Sequence, residues 1–92
     1  MFRNENTDKF YDAVLSLKDK KECAAFFDDI CTIKEIKDIA QRYEVARLLN
    51  QGLNYNEISE RTGASSATIT RVNKCLNYGN GGYKTVLDRT EK

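Results

Sequence analysis

Apolar side chains recur along this chain at helical spacing, in short stripes broken by glycines and by residues suited to capping helices. Phe10, Tyr11, Val14, Leu15 and Leu17 form the first stripe, in a helix expected to open at Thr7. The next helix is expected to begin at Asp19, with Glu22 at the spacing of a reciprocal cap, and it carries Cys23, Phe26, Phe27, Ile30 and Cys31. Thr32-Ile33-Lys34-Glu35 repeats that capping logic and starts a long helix running to about Asn50. Within it Ile36, Ile39, Ala40, Tyr43, Ala46 and Leu49 recur at helical spacing, and Val45 and Leu48 widen the stripe. Gln51-Gly52 ends it. Asn54 to Glu57 caps another helix, Gly63 stops that one, and a further helix runs on to about Leu76. Asn77 to Gly82 reads as a flexible joint, Tyr83, Val86 and Leu87 predict a last short helix, and residues 89–92 are expected to fray. No proline occurs and strand-like alternation is absent, so the prediction is an all-α fold of five or six helices.

The pair of helices around Gly63 carries the most chemistry. Ile58, Ile69 and Val72 are its expected buried residues, and small Ser59 leaves room for the helices to cross closely. Glycine at position 63 lets the chain leave the first helix through positive φ without steric strain. The outer face of the second helix then presents Ser65, Ser66, Thr68, Thr70, Arg71 and Lys74. Short hydroxyls interleaved with long cations suit the phosphates and base edges of a major groove, as in a helix-turn-helix. Any helical hairpin needs a turn glycine and an apolar stripe, so the polar face is the discriminating feature.

Charge distribution sharpens this picture where net charge, at +1, does not. Residues 1–31 carry five cations against seven acids, and residues 32–92 carry ten against seven. No acid lies between Glu60 and Asp88, whereas Arg61, Arg71, Lys74 and Lys84 do. Positive potential therefore gathers around the proposed reading helix. Four cations are too few for tight nonspecific binding, and a dimer would double them. The first two helices offer more apolar surface than a small trihelical reader needs. Phe10, Tyr11, Val14, Leu15, Phe26, Phe27 and Ile30 are accordingly expected at a dimer interface, with a larger monomer core as the alternative.

Several classes are disfavoured. No run of 18 apolar residues suggests a membrane span, and the polar start Met1-Phe2-Arg3-Asn4-Glu5 lacks an apolar signal core, so a cytoplasmic location is expected. Cys23, Cys31 and Cys75 fit no zinc spacing, and no metal is expected. Cys23 and Cys31 stand eight residues apart on one expected helix, about 12 Å by helical rise and too far to bridge. Without histidine, a phosphate loop or a supported pair of carboxylates, an enzyme is not expected.

The nonapeptide Gly63-Ala64-Ser65-Ser66-Ala67-Thr68-Ile69-Thr70-Arg71 resembles the recognition segment of the Trp repressor family, including its Ala-Thr-Ile-Thr-Arg core. Ala46-Arg47-Leu48-Leu49-Asn50-Gln51-Gly52 resembles that family's Leu-Leu-x-x-Gly helix end, and Thr32-Ile33-Lys34-Glu35 its Thr-Pro-Asp-Glu helix start. The similarity runs from about Asp28 to Leu76, with a one-residue deletion between Gly52 and Gly63. The run Ala40 to Ala46 and the short C-terminus are most similar to the YerC/YecD type of TrpR-related proteins.

This resemblance implies a single TrpR-like domain over residues 1–92: dimerisation helices over 1–50, a helix-turn-helix over 54–76 and a short C-terminal helix over 83–90. It further implies an intertwined helical homodimer acting as a repressor on a near-palindromic operator of double-stranded DNA, its recognition helices about 34 Å apart. Carried over position by position, Ser66, Ala67 and Thr70 face the bases, Thr68 a phosphate, and Asn56 the DNA from the preceding helix. In tryptophan-binding members two arginines flank the indole, matching Arg42 and Arg71, and a threonine matches Thr32. Val72 replaces a glycine of that pocket and Cys75 a serine, so tryptophan is not expected as a cofactor and the small-molecule effector is left open. A different class of function, a helical adaptor gripping a protein through the Ser66 to Lys74 face, would show little salt dependence, unlike a DNA reader.

Overall fold

The computed structural model describes residues 2–91, and among them six helices and no strand. They are α1 (Glu5–Leu15), α2 (Lys20–Ile30), α3 (Ile33–Asn50), α4 (Tyr55–Thr62), α5 (Ser66–Tyr78) and α6 (Gly82–Thr90). Two compact units divide the chain, Met1–Ile36 and Lys37–Lys92, with α3 running through the boundary.

Capping chemistry sets most of these boundaries. The Asn54 side chain accepts the Glu57 N–H at 2.9 Å while the Glu57 carboxylate accepts the Asn54 N–H at 3.1 Å. Thr32 and Glu35 make the same exchange, at 3.1 and 2.8 Å. The Thr32 backbone N–H above all, with help from the Thr32 side chain, holds the Glu35 carboxyl below its ordinary range. Asp19 caps α2 by accepting the Glu22 N–H at 2.8 Å, but the Glu22 carboxylate reaches one residue further back, to the Lys18 N–H. The first helix starts earlier than Thr7. Asn4 is its cap, and Thr7 sits inside the first turn, closing a capping box with Asn4. Either residue type can cap, and the Asn4 side chain wins by accepting the Thr7 N–H.

At the other end of α3, Leu53 N–H reaches the Leu48 carbonyl and Gly52 N–H the Leu49 carbonyl, with Gly52 at φ +91. That is the paired closure that satisfies a helix's last carbonyls. Helix α5 outruns the joint expected from Asn77 onward: Asn77 and Tyr78 are helical, and the Asn77 amide donates to the Asn73 carbonyl.

The unit from Lys37 onward owns the core. Val45, Ala46, Leu48, Ile58, Ala64, Ile69, Val72, Leu76 and Leu87 are buried and form one cluster, with Tyr43, Leu49, Leu53 and Tyr83 packed against it. The expected long-helix stripe is thus displaced toward Val45 and Leu48, and Ile39 is 47% exposed. Residues 89–91 are not frayed. Arg47 holds Glu91 at 2.9 Å, and Tyr43 and Thr90 share a hydrogen bond at 3.1 Å. Lys92, the last residue of the expected fraying segment, lies outside the described residues.

The unit up to Ile36 is built differently. Phe10 stacks on Phe26 with ring centroids 6.0 Å apart, Phe26 meets Phe27 edge-on at 5.5 Å, and Phe10 lies 6.1 Å from Tyr11. None of its described residues is buried. Phe10, Val14, Phe26 and Phe27 are half-buried, whereas Tyr11, Leu15, Ile30 and Ile33 stand exposed, Leu15 by 82%.

Candidate nucleic-acid interface

Helix α5 takes its position from the turn before it. Gly63 ends α4 at φ +72, and its N–H closes on the Ser59 carbonyl. The Ser59 hydroxyl donates to the Ala64 carbonyl at 2.9 Å, so Ser59 shapes the turn by bonding across it. The Thr62 hydroxyl donates to the Ile58 carbonyl and accepts the Ala64 N–H, and Ala64 tucks into the core. Ile58 below and Ile69 and Val72 above clamp the two helices together.

Ser65 then caps α5, accepting the Thr68 N–H at 3.2 Å. Its hydroxyl is therefore engaged within the protein, although the residue is exposed. Ser66, Ala67, Thr70, Arg71 and Lys74 are all exposed along the helix, and Asn56 is exposed in the first turn of α4. Thr68 is half-buried and turned toward α3. The first N–H groups of α5 have no partner within the helix and carry the positive end of its dipole. Hydroxyls, cations and helix N-terminus thus share one surface.

A recess of about 190 Å³ adjoins it, lined by Asp38, Gln41 and Arg42 of α3 and Thr68 and Arg71 of α5. Of the expected pocket residues, Arg42 and Arg71 line this recess. Val72 lies in the core, 1% exposed, as its place in the apolar stripe with Ile69 predicts, so it does not line the recess. Cys75 is exposed, and Thr32 is engaged as a cap in the other unit.

Tyr83 is a neighbour that the sequence did not point to. Burial pushes its phenol above the ordinary range, Cys75 adds to that, and Arg42 and Arg71 pull the other way. Gln41 was missed as well: its amide donates to the Thr62 carbonyl at 3.0 Å. On the far side of α3, Arg47 grips Glu44 through two hydrogen bonds, at 2.7 and 2.9 Å, and Glu91 through another. The Arg47 hydrogen bonds hold the Glu44 carboxyl low, and Glu44 and Glu91 raise the guanidinium in turn. No cluster of metal-ligating side chains occurs among the described residues, and no helix is long and apolar enough to cross a membrane.

Comparison with known proteins decides the family. The sequence profile of the Trp repressor protein family matches residues 5–91. The chain belongs to the Trp repressor family. The match extends well beyond the Asp28 to Leu76 stretch that carries the motifs, taking in α1, α2 and α6. YerC of Bacillus subtilis (strain 168) is 53% identical over 90 residues, covering 98% of this chain and 86% of that protein. A Trp operon repressor homolog of Chlamydia trachomatis serovar L2 is 33% identical over 84 residues, covering 86% and 89%.

Solved structures agree. A Staphylococcus aureus protein provisionally described as a Trp repressor superposes with a TM-score of 0.92 at 44% identity, covering 97% of this chain and 89% of its own. A TrpR-like protein from Eubacterium eligens ATCC 27750 gives 0.91 at 49% identity, covering 95% and 90%. The all-α TrpR-like fold is thereby established, and family membership supports a DNA-binding regulator in general terms.

Proposed function

We propose that this protein is a sequence-specific transcriptional regulator, a repressor, that binds a near-palindromic operator as a homodimer in the cytoplasm and catalyses no reaction. The observation that carries the reading is the exposed row Ser66, Ala67, Thr70, Arg71 and Lys74, held on a helix whose opposite side is locked into the core. Ser66, Ala67 and Thr70 take the base edges. Arg71, Lys74, Thr68 and Asn56 take phosphates, and Ser65 sets the start of the helix. The dimer reading draws on α1 and α2, where a whole unit presents apolar side chains without burying one. A second copy packing on Tyr11, Leu15 and Ile30 would complete that unit and pair two reading helices across a symmetry axis.

Tryptophan is not proposed as an effector. Arg42 and Arg71 line the recess, but Val72 and Cys75 stand where the tryptophan-binding members carry a glycine and a serine. Val72, committed to the core, offers no flat backbone face. The protein is therefore proposed to act without tryptophan.

Thr70→Ala and Arg71→Ala test the reading directly, because both side chains are exposed and neither supports the core. Each is expected to weaken binding to the cognate duplex by about 1–3 kcal/mol, roughly five- to 150-fold, while circular dichroism stays unchanged. Parent-like affinity in both variants refutes the site assignment.

A further inference from the structure

We infer that Gln41 is a positioning residue for DNA reading: its amide anchors the end of α4 to α3 and so sets where α5 begins. The inference rests on the DNA-reading proposal above. The last carbonyls of a helix lack intrahelical partners, and here most of the turn's polar groups are satisfied inside the hairpin. Ser59 accepts from Gly63 through its carbonyl, Ser59 donates to Ala64 and Thr62 donates to Ile58. The Thr62 carbonyl is satisfied from outside it, by Gln41 Nε2 at 3.0 Å, across 21 residues of sequence. Thr62 is the last residue of α4, and only Gly63, Ala64 and Ser65 separate it from α5. Fixing that carbonyl therefore fixes the first turn of the reading helix, where Ser66, Ala67 and Thr68 sit.

Gln41 is placed to do this without touching DNA itself. It is half-buried, and its side chain forms one wall of the recess whose other walls include Thr68 and Arg71. Water can replace the amide at a half-buried carbonyl, so loss of the bond leaves a folded protein whose turn is freer. Base recognition depends on registration finer than an ångström, whereas phosphate attraction does not. Specific binding should therefore fall while nonspecific binding holds.

The test compares the parent with Gln41→Leu, which keeps the side chain's bulk and removes the donor. Binding is measured by fluorescence anisotropy on a duplex selected by the parent and on a scrambled one, across a salt series. Amide exchange of Gly63 and Ala64 is followed in the free protein. Gln41→Leu is expected to weaken the selected duplex three- to tenfold, roughly one hydrogen bond's worth. The scrambled duplex and the salt slope should not change, and the two turn amides should exchange faster. Parent-like binding overturns the inference, as does exchange that does not quicken. A salt slope shallower by about one shows that Gln41 meets a phosphate, which also overturns it. Should the parent bind no duplex, the DNA reading fails on that ground alone, and exchange still reports whether Gln41 holds the turn.

Discussion

Gly63 and Arg71 carry different parts of the account at the level of single residues. Arg71 is an exposed cation on α5 and is proposed to contact DNA, whereas Gly63 contributes only a backbone shape. A Cβ at Gly63 would meet nothing within 4 Å, so its requirement comes wholly from φ +72. Gly63→Ala is expected to lower stability by about 1–2 kcal/mol in urea unfolding, with an unchanged dependence on denaturant. A variant as stable as the parent would mean that the turn has another conformation of equal energy. Both residues stood out in the sequence, because a glycine between two capped helices and an acid-free stretch holding the cations are local signals. Gln41 and Arg47 were not. Their partners, Thr62 and Glu91, lie 21 and 44 residues away, and nothing in the local pattern marks such pairs.

Helices α4 and α5 are held by a small set of apolar residues, and the consequences differ along them. Ile58, Ile69 and Val72 are essentially fully buried, so truncating one leaves a cavity between helices that have little else to clamp them. Ile69→Ala is expected to cost about 2–5 kcal/mol in thermal or urea unfolding. A cost below about 1 kcal/mol would show that the two helices do not pack through this contact. Helix boundaries were readable where side chain and backbone exchange hydrogen bonds within three residues, as at Asn54 and Thr32. They were misread where two good caps compete, as at Asn4 and Thr7, and where tertiary contacts tie down an end. The C-terminal residues were expected to fray as a chain end. Arg47, Tyr43 and the burial of Leu87 keep α6 in place.

For the whole molecule, the asymmetry between the two units is what sequence pattern conveyed only in outline. Aromatic-rich helices near the start suggested surplus apolar surface, and the structure places Leu15, Ile30 and Ile33 in the open while the core gathers around Val45, Ile58 and Ile69. Small domains have little stability to spare, so a unit with no buried residue among those described calls for a cover. In the proposed homodimer a second copy would supply it and double the cations offered to DNA. Arg42 and Arg71, matched to the family arginines, line one recess, whereas Val72 is buried as its apolar stripe predicts. Position on a helix face, not residue type, decided that.

Selection of bound duplexes from a random pool tests the central claim most directly. A paired reader presenting Thr70 and Arg71 from each copy predicts winners that are two-fold symmetric, with half-site centres about one helical turn apart, and that lose affinity steeply with added salt. Winners without symmetry, or no enrichment over the starting pool, would contradict it.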